Sequence, residues 1–383
     1  MSSFEFATAN RIIFGAGKLN TLAEQLTGSV KLLLLVRGRS SDVIPRVREI
    51  LSAQGVQWVE FEVHGEPTVE VVTAGVEMGR DCDMVIGLGG GSVLDAGKAI
   101  AALATNPGDV FDYLEVIGKG QKLTRTPLPY IAIPTTAGTG TEVTRNAVIE
   151  SPAHGVKVSL RSPSMLPGLA LVDPELTYSL PPAITASTGL DALTQLIEPF
   201  VSVKANPMTD ALCREGTHHA ARSLRRAYEN GVDTEAREGM SLASLFGGLA
   251  LANAKLGAVH GFAGPLGGML HAPHGTICAR LLPLVMETNL KALEARDPEH
   301  PALARYAEIA QILTENPDAS AVDGVTWISE LVGDLNIPAL SAYGMTREHF
   351  SDVVEKTMKS SSYKGNPIPL TEAELLGILE RAL

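Results

Sequence analysis

Short apolar runs alternate with helical periodicity through the first 180 residues. Residues 31–36, Lys-Leu-Leu-Leu-Leu-Val, form a continuous apolar stretch without polar alternation, the pattern of a strand buried on both faces. An amphipathic helix is predicted over 43–54, a second strand over 56–63 and a second helix over 68–81. A third strand over 84–88 runs directly into Gly89, Gly90, Gly91 and Ser92, followed by a helix over 93–104. Residues 130–133 read as a fourth strand, with further strands at 170–173 and in the 4–14 region. This alternation predicts a parallel sheet covered by helices on both faces. After Pro181 and Pro182 the pattern changes. No convincing period-two strand follows, and helices are predicted at 192–201, 210–228, 235–255, 302–313 and 322–335. The expected organisation is an α/β domain at 1–180 and an all-helical domain at 181–383, with their junction the default place for a ligand.

Composition narrows the function classes. Forty-three acidic against 31 basic residues give a net charge of −12, which argues against a nucleic-acid surface. Hydrophobic residues at 45% and charged residues at 19% suit a folded core rather than a disordered chain. No signal-like leader precedes the first strand, and the Ala/Gly-rich stretch 241–259 is interrupted by Asn253 and Lys255, so no membrane span is expected. Cys82, Cys213 and Cys278 are an odd number without short spacing, indicating neither a disulfide framework nor a cysteine-based zinc site. The expectation is a cytoplasmic protein with reduced thiols.

Two loops carry candidate chemistry. Gly89, Gly90, Gly91 and Ser92 lie between a buried strand and a helix, where glycine lets backbone N–H groups and the helix dipole approach a phosphate. They match neither a G-x-G-x-x-G fingerprint nor a Walker A loop, and the alternative is an ordinary glycine turn. The stretch PTTAGTGTEVT at 134–144 places Thr135, Thr136 and Thr139 after the fourth strand, at the carboxyl edge where open α/β sheets bind ligands. An ordinary Thr/Gly loop is its alternative.

GGGSVLDAGKAIA at 89–101, PTTAGTGTEVT, TGLDALTQLIEPFVS at 188–202 and VHGFAGPLGGMLHAPHG at 259–275 together resemble the iron-containing (group III) alcohol dehydrogenases. That superfamily also holds glycerol dehydrogenases, maleylacetate reductases and dehydroquinate synthases. The resemblance spans nearly the whole chain. It implies a dehydroquinate synthase-like fold, a nicotinamide cofactor, a divalent metal, a homodimer, and hydride transfer between an alcohol and an aldehyde or ketone. It places Gly89 to Ser92 and Asp95 at the cofactor, with Asn146 and Lys157 near it and Lys157 a ribose contact.

Asp191 and Gln195 stand four apart on a predicted helix, hence on one face. His260 and His274 are separated by Pro265 and Pro273, so they are expected from different turns. The resemblance implies Asp191, His260 and His274 (iron or zinc) as ligands. Gln195 stands where the family carries a fourth, a weak contact made directly or through water. Gly264 replaces a further family histidine near the substrate, and His271 could partly replace it as proton carrier or be merely structural. The alternatives are a metal-independent reductase of the maleylacetate type and a degenerate nucleotide-binding protein. Finally, NAD-preferring members carry an Asp after the strand matching 32–36. Gly38 stands there, between Arg37 and Arg39, so NADP(H) is expected over NAD(H), unless both arginines simply face solvent.

Overall fold

The structure is a computed structural model that describes residues 3–26, 28, 30–39, 42–270 and 272–383. Backbone proximity divides it into two units, each taken by itself below. One comprises Thr8–Thr136 and Gly140–Ser179. The other comprises Leu180–Leu383 with the short segment Ala137–Thr139 and the residues leading to Ala7.

The first unit runs β1 (Ile12–Phe14), α1 (Leu22–Gln25), β2 (Leu32–Arg37), α2 (Val43–Ala53), β3 (Gln57–Glu62), α3 (Val69–Gly79), β4 (Met84–Gly89), α4 (Gly91–Leu103), α5 (Val110–Tyr113), β5 (Tyr130–Pro134), β6 (Asn146–Ser151), β7 (Val156–Arg161) and β8 (Leu169–Val172). Six strands form one sheet in the order β1-β8-β5-β4-β2-β3, every neighbour parallel. The leucine run explains its central position. Leu33 and Leu35 enter the core on one face of the sheet, Leu34 and Val36 the core on the other. The chain moves from β2 outward to β3, then returns across β2 to β4. Strand order therefore reverses between β2 and β4, and the crevice beyond their carboxyl ends is the favoured ligand position in such sheets. Gly87 and Gly97 make room there for Tyr130: a Cβ on Gly87 would fall 2.3 Å from its hydroxyl oxygen. That hydroxyl donates to the Leu94 carbonyl at 2.8 Å, fixing α4 against the sheet.

The second unit is helical: α6 (Pro182–Val201), α7 (Pro207–Glu229), α8 (Thr234–Asn253), α9 (Ala258–Leu270), α10 (His274–Arg296), α11 (Pro301–Thr314), α12 (Ala321–Asp334), α13 (Phe350–Lys359) and α14 (Glu372–Ala382). Pro182 at the first position opens α6, where its missing N–H costs nothing. The fold class is the one expected. Several of its elements were not, among them β6, β7, α9, α10, α13 and α14. The antiparallel pair β6–β7 forms although only its second strand, with Val156, Val158 and Leu160 alternating with polar residues, carries a period-two signal, and α9 is a helix despite four glycines and Pro265. Gly261 shows why glycine is kept there: a Cβ would stand 3.0 Å from that of Tyr363. Among the described residues no single helix is long and apolar enough to cross a membrane; α8 and α9 pass only as a pair bent by 97°.

Candidate metal centre and nucleotide loops

In the helical unit, Asp191, Gln195 and Glu198 occupy i, i+4 and i+7 of α6 and form one polar stripe on a helix otherwise packed with Leu190, Leu193, Leu196 and Ile197. His260 comes from α9, and His274 is the first residue of α10. The two histidines thus sit on successive helices rather than on loose turns. One ligand atom each from Asp191, His260, His274 and Cys278 lies within 4.8 Å of the others. Asp191 Oδ1 stands 3.5 Å from His260 Nε2 and 3.8 Å from His274 Nε2. His260 Nδ1 lies 2.6 Å from Glu198 Oε2, and Glu198 Oε1 accepts the Val259 N–H at 2.7 Å. Gln195 Nε2 donates to Asp191 Oδ2 at 3.0 Å, so this amide steadies the carboxylate, while its own Oε1 and Asp191 Oδ1 have no hydrogen-bond partner among the described residues.

Electrostatics at this cluster favour a cation. Burial pulls the imidazoles of His260 and His274 toward the neutral form. The Cys278 and Asp191 side chains beside them outweigh it, and His274 is raised to about 9. Asp191 is 1% exposed, and burial alone would raise its carboxyl; the neighbouring histidines hold it below the ordinary range. A buried carboxylate with an orphaned oxygen, facing two imidazoles, fits a divalent ion. Cys278 was not singled out from sequence; its signal is the four-residue spacing from His274 on one helix face. His271 lies outside the described residues. A Cβ on Gly264, one turn from His260, would meet nothing within 4 Å among the described residues.

In the α/β unit, Gly89 ends β4, Gly90 is the N-cap of α4 with extended backbone and Gly91 begins the helix, with no side chain capping it. Val93 and Leu94 N–H donate to the Gly90 carbonyl at 3.0 and 3.1 Å, so Gly91 and Ser92 offer the first-turn N–H groups that a ligand could take. A Cβ on Gly89 would fall 2.7 Å from Val93, and one on Gly90 3.2 Å from Thr136 Cγ2, so any side chain would crowd this turn. Thr135 N–H donates to the Gly89 carbonyl at 2.9 Å, joining the two loops, whereas Thr139 belongs with the helical unit. Asp95 spends both oxygens within the protein, accepting from the Thr141 hydroxyl and from Val148 N–H at 2.9 Å, and so braces α4 against β6. Asn146 acts through its carbonyl, which accepts from Lys98 Nζ at 2.8 Å. Lys157 Nζ pairs with Glu66 Oε1 at 3.1 Å, and Glu66 Oε2 accepts from the Ser92 hydroxyl at 3.4 Å. Glu66 was not read from sequence, because it carries no motif of its own.

Beyond β2, Arg37 is held by Glu60 at 2.7 Å and Glu62 at 3.0 Å, rather than turned to solvent. Arg39 Nε donates to His64 Nδ1 at 3.3 Å. Together with Pro45, Arg48 and Glu62 these arginines line an open depression of about 350 Å³. Gly38 N–H donates to the Leu88 carbonyl at 3.1 Å, tying the end of β2 to β4 at the strand-order reversal.

Comparison with known proteins agrees with this architecture. Residues 9–174 match the iron-containing alcohol dehydrogenase family model, and residues 185–383 match the C-terminal model of the Fe-containing alcohol dehydrogenase family. The chain is 37% identical to alcohol dehydrogenase 4 of Schizosaccharomyces pombe, covering 100% of this chain and 89% of that protein. It is 34% identical to 1,3-propanediol dehydrogenase of Klebsiella pneumoniae, covering 99% and 98%. The crystal structure of an alcohol dehydrogenase from Oenococcus oeni superposes with a TM-score of 0.91 at 32% identity, covering all of both chains. The chain belongs to the iron-containing alcohol dehydrogenase family and is an oxidoreductase that interconverts an alcohol and an aldehyde or ketone with a nicotinamide cofactor.

Proposed function

We propose that this chain is a metal-assisted, NADP(H)-preferring dehydrogenase of small alcohols and aldehydes, with Asp191, His260 and His274 holding the metal. The observation that carries the reading is the buried Asp191 Oδ1, without a partner among the described residues and facing the two imidazole nitrogens at 3.5 and 3.8 Å. A divalent ion bound there supplies a Lewis acid that stabilises negative charge on the substrate oxygen. The nicotinamide supplies the hydride, so that an aldehyde, NADPH and a proton give an alcohol and NADP⁺.

The chain's own residues bind and orient. Glu198 accepts from His260 Nδ1–H, so Nε2 is the nitrogen directed at Asp191 and the one that would exchange its proton for a metal. Gln195 fixes the other carboxylate oxygen. Gly89, Gly90 and Gly91 let the pyrophosphate approach the N-terminus of α4, while Ser92, Glu66 and Lys157 offer a chain of polar groups suited to ribose hydroxyls. Relatives named for 1,3-propanediol, and a structural neighbour named for sulfoacetaldehyde, support a short, polar aldehyde.

For the cofactor, Gly38 withholds the carboxylate that would repel a 2′-phosphate, and Arg39 offers a guanidinium whose partner among the described residues is the His64 imidazole. Arg37 is committed to Glu60 and Glu62, so the phosphate contact falls to Arg39. Three unpaired, buried cysteines support a reducing, cytoplasmic setting, and the family resemblance supports a homodimer. NADPH oxidation with a panel of short aldehydes, in the presence of Fe²⁺, Zn²⁺ or Mn²⁺, tests the reading: turnover with at least one pair is expected, and no turnover with any would refute it.

A further inference from the structure

We infer that Cys278 is itself a ligand of the metal, a thiolate donor that turns this site from iron toward zinc. The inference rests on the metal reading above and adds a donor to it. Cys278 is completely buried, and α10 brings it round to the face that carries His274, four residues earlier. Its sulfur lies 3.6 Å from His274 Nε2 and 3.9 Å from His260 Nε2. With Zn–S near 2.3 Å and Zn–N near 2.05 Å, the S···N edge of a tetrahedron is about 3.6 Å and the O···N edge about 3.3 Å. The observed S···N distances of 3.6 and 3.9 Å, and O···N distances of 3.5 and 3.8 Å, are four of those edges slightly expanded, and the two others lie within 4.8 Å.

Asp191 Oδ1 is the independent sign that this is a site rather than a thiol packed beside two rings. It is a buried carboxylate oxygen aimed into the same space, with no hydrogen-bond partner among the described residues. Gln195 explains why a further donor is useful. Its amide nitrogen is turned to Asp191 Oδ2, so its side chain reinforces a ligand instead of providing imidazole. The resulting set is one carboxylate, two imidazoles and one thiolate, to which a substrate oxygen would add as a fifth donor. Thiolate and imidazole together favour zinc and its spectroscopic analogue cobalt, whereas Mg²⁺ and Mn²⁺ prefer oxygen-rich sets.

The test uses full-length protein stripped of metal and loaded with one equivalent of Co²⁺. A sulfur-to-cobalt charge-transfer band in the near ultraviolet is expected, lost in Cys278→Ser while cobalt still binds. The ratio of zinc to iron affinity should fall at least about tenfold in that variant. Cobalt bound by the unaltered protein without the band would overturn the thiolate and leave the other three ligands standing. Failure to bind cobalt at all would overturn both. Should the serine variant not fold, X-ray absorption of the zinc-loaded unaltered protein decides: one sulfur scatterer at about 2.3 Å is expected, and only nitrogen and oxygen neighbours would refute it.

Discussion

Glu198 Oε2 lies 2.6 Å from His260 Nδ1, and this contact decides which imidazole nitrogen faces Asp191. A carboxylate accepting from Nδ1–H fixes the tautomer and raises the basicity of Nε2, as partners of metal-bound histidines do. Glu198→Gln should therefore lower metal affinity about 10- to 100-fold without removing a ligand. Competition with a chromophoric chelator measures it, and unchanged affinity would detach Glu198 from the site.

Asp191→Ala should go further. It removes the buried carboxylate about which both imidazoles are arranged, and more than about 100-fold in metal affinity should go with it. Aldehyde reduction should fall in parallel. NADPH affinity should stay within about twofold, because the glycine turn and Arg39 belong to the other unit. Fluorescence titration with NADPH beside the activity assay separates the effects; full activity would refute Asp191 as a ligand.

Gly38→Asp should move cofactor choice toward NADH. A Cβ at Gly38 would stand 3.2 Å from Val93 Cγ2, a contact that a shift of a few tenths of an ångström relieves. The new carboxylate would accept from the ribose 2′-hydroxyl and repel a 2′-phosphate. The ratio of kcat/KM for NADPH to that for NADH should fall by at least about tenfold. A higher kcat/KM with NADH in the unaltered protein would contradict the proposed preference.

The α/β unit makes a pH-dependent prediction. Burial raises Glu142 to about 7, and burial likewise lowers Lys98 to about 8. A carboxyl whose folded pKa exceeds its unfolded value contributes stability that is whole below about pH 4.5 and is lost as pH rises through about 7. Glu142→Gln removes that ionisation. Its stability relative to the unaltered protein should rise between pH 5 and pH 8, by at most about 3 kcal/mol. Thermal denaturation at both pH values checks this, and a difference independent of pH would show that Glu142 does not titrate in this range.

Much of this architecture could be read from the chain because its signals are local. Four buried strands and the helices between them follow from apolar runs such as 31–36 and from the glycine turn at 89–92, and the structure places β2 at Leu32–Arg37 and α4 at Gly91–Leu103. The β6–β7 pair forms no long apolar run, and its period-two signal, Val156, Val158 and Leu160 alternating with Lys157, Ser159 and Arg161, spans only one short strand. Helix α9 was hidden because glycines that read as loop signals are required by close packing, as Gly261 against Tyr363 shows. At the site, Asp191, His260 and His274 were legible as residue types in motifs. Glu198 and Glu66 were not, because each acquires its meaning only from a neighbour on another segment, His260 and Lys157; Cys278 was not because its spacing from His274 gains meaning only once α10 is known to begin at His274. The role of Asp95 likewise needed the position of β6, which supplies the Val148 N–H.

Removal and return of the metal tests the central claim most directly. Protein dialysed against a strong chelator, then freed of it, should bind NADPH normally yet reduce no aldehyde. Activity should return in proportion to added Zn²⁺ or Fe²⁺ and reach its plateau at one equivalent per chain. Undiminished aldehyde reduction by protein shown to contain no metal would contradict the account and make this chain a metal-independent reductase.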